Sequence, residues 1–176
     1  MRELFLIVRD ILRFKRGPQD LPYAPNLVAI VVIVASALGV LEGQVPRKAE
    51  VSVYAIVFGD LYWLLVTYLL LQVRQVPERF VQTTLAFFIT DALFVLARIP
   101  ADLILAGVAP NATELAPGQA WAALLMLGLV IWQLCVKAHV FRHALNIPLA
   151  GGFLVALSCV AAQIILITAL FANPKV

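Results

Sequence analysis

The sequence predicts an all-α integral membrane protein: five transmembrane helices preceded by an amphipathic helix at the membrane interface. Three observations carry that prediction. Apolar residues make up 63% of the 176-residue chain and charged residues 13%, against roughly 45–50% and 25% in soluble domains. Apolar stretches fall at Ala24–Leu41, Val51–Leu71, Phe80–Ile99, Ala120–Val136 and Ile147–Ala172, near the roughly 20 residues that bridge about 30 Å of hydrocarbon. A soluble bundle needs polar faces at helical period, and Leu27–Leu41 and Ala120–Ile131 have almost none.

Two units follow, residues 1–23 and the five-span domain 24–176. In residues 2–16, Leu4, Phe5, Val8, Ile11 and Leu12 share one helical face and Arg2, Arg9, Arg13 and Arg16 cluster opposite. Such a helix buries its apolar face at the headgroup boundary and offers its basic face to phosphates. Arg9, Arg13, Lys15 and Arg16 are the candidate lipid-headgroup contacts. The run Leu4–Val8 is too short for a signal peptide and is followed at once by Arg9 and Asp10, and Gly is not residue 2. Pro18, Pro22 and Pro25 forbid a continuing helix and make 17–25 an extended elbow. Gly43 and Pro46 break the chain after the first span, Pro77 after the second, and Asn146 and Pro148 after the fourth. The longest connector, Pro100–Gln119, contains Asp102–Val108, either a short interfacial helix or an extension of the third span. Asn111-Ala112-Thr113 matches a glycosylation sequon, a pattern common by chance.

Positive residues are retained on the cytoplasmic side. With the N-terminus inside, Arg2, Arg9, Arg13, Lys15, Arg16, Arg74, Arg79, Lys137 and Arg142 are cytoplasmic. Arg47, Lys48, Arg98 and Lys175 are outside. The sequence therefore predicts a bacterial inner-membrane protein with a cytoplasmic N-terminus and an external C-terminus, the Arg47-Lys48 pair being the contrary signal. The predicted partners are membrane lipids, anionic on the cytoplasmic side, together with a protein partner or a second copy of the chain. No basic face with interleaved aromatics points to nucleic acid.

Charges inside spans are costly and face the bundle interior. Asp60 and Asp91 lie near mid-depth, and Arg98 follows Asp91 by seven residues, on the same helical face. They form the candidate intramembrane polar cluster, either a proton or ion site or an inter-helix clamp. Gln72, Gln82, Thr83, Thr84, Gln133 and Gln163 are expected to bond between helices. His139 and His143 have the spacing of two metal ligands, but two do not make a site, and the expectation is a polar helix end. Cys135 and Cys159 read as packing residues. Ala35-x-x-x-Gly39 and Gly152-x-x-x-Ala156 permit close helix approach, most simply within the bundle. No paired halves and no GxSxG, P-loop or HExxH are found. The prediction is no catalytic residue, no metal and no cofactor.

The run Ile131-Trp132-Gln133-Leu134-Cys135-Val136-Lys137, followed by Arg142 and Ala144-Leu145, with five spans and a cytoplasmic N-terminus, resembles the Yip1-like membrane proteins, particularly their small bacterial members. The DLYGP motif of the eukaryotic branch is absent. The resemblance implies a non-enzymatic helical membrane protein that scaffolds or binds partners. The alternative is a small transporter or ion-coupled membrane subunit using Asp60, Asp91 and Arg98.

Overall fold

Helices that face hydrocarbon need no polar side, and among the described residues five are long and apolar enough to cross a membrane. The computed structural model describes residues 2–44, 53–108 and 115–171. The elements are α1 (Arg2–Leu12), α2 (Pro25–Gly43), α3 (Val53–Val73), α4 (Phe80–Ala106), α5 (Pro117–Ala144) and α6 (Leu149–Phe171), with single 3-10 turns at Pro18–Asp20 and Pro77–Arg79. The fold is all-α and membrane-embedded in character: α2 has no buried residue and α6 only three. Large apolar side chains such as Ile33, Leu61, Leu124 and Ile165 point outward.

Prolines start several helices, because a first-turn N–H has no intrahelical partner to lose. Pro25 opens α2 and Pro117 opens α5. Three helices end on a non-glycine residue in the left-handed region: Phe14 (φ 60°), Gln75 (φ 58°) and Asn146 (φ 51°). In each case the next N–H reaches back to the carbonyl five residues earlier: Lys15 to Asp10, Val76 to Leu71 and Ile147 to Arg142. That bond is the mark of a Schellman C-terminus. All three stops lie at one end of the bundle, the end where α1 packs.

Several boundaries differ from the sequence expectation. The amphipathic helix stops at Leu12, not residue 16, because Phe14 turns left-handed. Pro100 does not end the third span. It sits exposed within α4, which runs on to Ala106, so Asp102 belongs to an extension of that span. An intrahelical proline removes one hydrogen bond and is tolerated in such helices. The fourth span runs past Val136 to Ala144, because Ala138, Val140, Phe141 and Ala144 continue its buried face. Pro46, Arg47, Lys48, the Asn111–Thr113 sequon and Lys175 lie outside the described residues.

The spans close into a ring in the order α2, α4, α5, α6, α3. Bonds at both ends fix α2 parallel to α4: Gln82 Nε2 donates to the Leu21 carbonyl, and Arg98 pairs with Glu42. The closest approach is between α5 and α6. A Cβ at Gly152 would overlap the Ala138 carbonyl oxygen, and Ala156 is fully buried one turn on. The Gly152-x-x-x-Ala156 face is thus an internal contact.

The N-terminal unit docks on the bundle rather than lying wholly on lipid. Val8, Ile11 and Leu21 are buried, while Phe5 stays exposed. Trp132 Nε1 donates to the Leu12 carbonyl and His139 Nε2 bonds the Arg16 carbonyl.

Candidate functional site

Inside the ring, side chains from all five spans line a cavity of about 410 Å³. It lies in the half of the bundle away from α1, at the level of Gly39, Asp60, Asp91, Gln133 and Gln163. Hydrocarbon cannot solvate polar groups, so each one here needs a protein partner or a ligand.

Most of them form one chain. Arg98 Nε and Nη2 donate to the two Glu42 carboxylate oxygens at 3.0 and 3.3 Å, and Nη1 donates to Gln133 Oε1 at 2.7 Å. Gln133 Nε2 passes the link to Asp91 Oδ1 at 2.7 Å. The other Asp91 oxygen accepts from Lys137 Nζ at 2.6 Å. That ammonium also sits 4.1 Å over the Trp63 ring, where the π face adds cation stabilisation. Alternating charge with an amide between lets each charged group meet its opposite, the condition under which buried ions are tolerated.

Asp60 stands apart. Among the described residues its one hydrogen-bond partner is the Ser36 hydroxyl, and no cation pairs with it. Ser36 Oγ also lies 2.9 Å from the Val32 carbonyl. A hydroxyl has one proton, and a carbonyl can only accept. With Asp60 ionised, Ser36 donates to it. With Asp60 protonated, Asp60 donates to Ser36 and Ser36 donates to Val32. The same atoms serve both states.

An aromatic layer closes the cavity toward the α1 end. Trp63, Phe87 and Phe141 contact one another with centroids 4.8–6.3 Å apart, and Trp63 is held by donating to Gln163 Oε1 at 2.9 Å. One turn beyond it, the hydroxyls of Thr67 and Thr84 are buried and have no hydrogen-bond partner among the described residues, as is also true of Thr83.

All three residues of the predicted polar cluster line this cavity, but Arg98 pairs with Glu42 and reaches Asp91 only through Gln133. Lys137, which the sequence places among the cytoplasmic charges, is 5% exposed and paired within α5's core face. Ser36, Glu42 and Trp63 carried no sequence signal, since a serine in an apolar helix and a glutamate at a helix end are ordinary. Lys137 had one: it follows Gln133 by four residues, on one face. Of the expected inter-helix bonders, Gln82, Gln133 and Gln163 fill that role, whereas Gln72 bonds Tyr68 in its own helix and Thr83 and Thr84 bond nothing described. Cys135 and Cys159 are free thiols.

At the α1 end, Arg9, Arg13, Lys15 and Arg16 are exposed. Arg9 and Arg16 both pair with Asp10, and the Arg9 guanidinium holds the Asp10 carboxyl below its usual range. His139 is not a solvated helix end. It is 3% exposed, with its ring against Phe14 and 4.6 Å from His143. No group of three or more His, Cys, Asp or Glu able to hold a metal occurs among the described residues.

Compared with protein-family models, curated proteins and solved structures, the chain has no match.

Proposed function

We propose that this chain is a non-enzymatic, ion-coupled membrane protein in which Asp60 takes up and gives up a proton inside the helix bundle. One observation carries the reading: Asp60 is a carboxyl at membrane depth with no cationic partner among the described residues, facing a cavity and sharing the single proton of Ser36. Intramembrane carboxyls so placed serve proton and ion pathways. A scaffold has no use for a cavity of this size, which packing side chains would fill. The charged groups around Asp60 bias it without neutralising it. Asp91 and Arg98 come from α4, Lys137 from α5 and Glu42 from α2, and each already has an opposite charge at hand; α6 contributes the neutral Gln163.

Orientation follows from charge. Lys137 and Arg98 are paired inside the bundle, so they do not report on sidedness. Arg2, Arg9, Arg13, Lys15, Arg16, Arg74, Arg79 and Arg142 all belong to the α1 end. This supports a cytoplasmic N-terminus in an inner membrane, with anionic lipid at the exposed basic side chains. Kinship with the Yip1-like proteins, as a further proposal, adds a protein partner or a second copy of the chain.

The test is proton movement into vesicles containing the purified protein and a pH dye, driven by an imposed potential. The wild type is expected to conduct, and Asp60→Asn, with unchanged helicity and elution, to lose at least tenfold. Equal flux from both would return the chain to the scaffold reading.

A further inference from the structure

We infer that the cavity is a binding site for a small organic cation: an apolar body bearing one amine or quaternary ammonium head, with Asp60 as its counter-ion and Trp63 as part of its wall. The inference rests on the proton-coupled reading of the same site and names what exchanges with the proton.

Size comes first. A volume of about 410 Å³ is many times the roughly 30 Å³ share of one water and falls within the 300–1,000 Å³ typical of small-molecule pockets. A bare metal ion would leave most of it unfilled, and no metal-ligating cluster is present among the described residues.

Charge decides the ligand's sign. An anion would need an open cation. Arg98 directs its donors at Glu42 and Gln133, and Lys137 is held by Asp91 and the Trp63 face. Gln133 is engaged at both its oxygen and its nitrogen. The oxygen of Gln163 accepts from Trp63. The Gln163 amide nitrogen is a neutral donor, and the charge left without an opposite charge among the described residues is that of Asp60, whose Oδ2 meets the Ser36 hydroxyl. A cation supplies the missing charge.

Shape and surface agree. Beside Asp60 is Gly59, where a Cβ would come within 2.8 Å of Gln163 Nε2, so glycine lets the Gln163 side chain of α6 pack against α3 and form part of the wall. Ile56, Phe88, Val95 and Ile167 supply apolar wall, which suits a hydrocarbon body. Trp63, whose ring already holds the Lys137 ammonium at 4.1 Å, adds aromatic wall rather than a second cation seat. Protonating Asp60 turns Ser36 back to Val32 and removes the counter-charge, so proton and cation compete for one group.

The experiment uses the full chain in detergent and three benzene-ring probes: benzyltrimethylammonium, benzyl alcohol and benzenesulfonate. Calorimetry is expected to give saturable, single-site binding of the ammonium, at least tenfold weaker for the alcohol and absent for the sulfonate. Asp60→Asn should weaken ammonium binding at least tenfold. Ala92→Leu, which fills the cavity without touching a charge, should do the same and covers the case in which Asp60→Asn fails to fold. Ammonium binding undiminished in either folded variant, or sulfonate binding as tight as ammonium, overturns the inference. Absence of ammonium binding alongside Asp60-dependent proton flux overturns the organic cation and leaves the proton site standing. Loss of both overturns both.

Discussion

At the scale of the residue, the Asp91–Lys137 pair makes a sharp prediction. Removing one member of a buried ion pair leaves an uncompensated charge and costs about 3–5 kcal/mol, whereas replacing both with apolar groups is often neutral. Lys137→Met or Asp91→Leu alone is expected to destabilise by about that amount, and the double variant to recover most of it. Unfolding by detergent titration measures all three; additive losses would mean that the two side chains do not act as a pair. The three residues that stood out in the sequence did so because Asp60, Asp91 and Arg98 interrupt apolar runs, and a charge in hydrocarbon is visible without knowing its partner. Their partners were not legible. Lys137 sits among His139, Arg142 and His143, which disguised the helix it belongs to, and only the depth of α5 shows that its ammonium meets Asp91 rather than phosphate. Ser36 is silent in sequence because a helical serine can satisfy itself on the carbonyl four residues back. That it also reaches Asp60 is a fact about α2 and α3 together.

At the scale of the element, close packing of α5 on α6 depends on one missing side chain. Gly152→Ala would drive a methyl into the Ala138 carbonyl, which is backbone and cannot swing aside. Overpacking of this kind costs about 1–3 kcal/mol. The expected outcome is a lower melting temperature in detergent, while Gly128→Ala, with open space around it, leaves it unchanged; equal melting of both variants would count against the contact. Helix existence was legible throughout, since hydropathy marks length. Helix ends were less so. Pro100 reads as a stop, yet in α4 it faces outward and forfeits one bond that the rest of the helix outweighs. Asn146 was a true stop because its side chain tolerates the left-handed turn. Phe14 gave no such sign: a bulky residue at positive φ is strained, and the His139 ring that packs against it comes from α5, far along the chain. The amphipathic pattern of α1 was clear, but a pattern cannot say whether Val8 and Ile11 meet lipid or protein.

At the scale of the whole molecule, the ring places every topological charge of the α1 end together. With Cys135 and Cys159 replaced by Ser, Leu115→Cys is expected to react with an impermeant maleimide from outside intact cells. Arg13→Cys should react only after the membrane is opened. The reverse pattern would invert the bundle. The class of fold was fully legible because solvent dictates composition. The ring order was not, since it depends on which faces meet, and apolar faces in lipid look alike. That order bears on synthesis. The first hydrocarbon-length helix packs chiefly on the third, and Glu42 leaves the ribosome 56 residues ahead of Arg98. The Glu42–Arg98 pair therefore forms only once α4 is made, with α5 and α6 still to follow. Closure of the ring is a late event in translation, because α6, the last span made, must meet both α5 and α3.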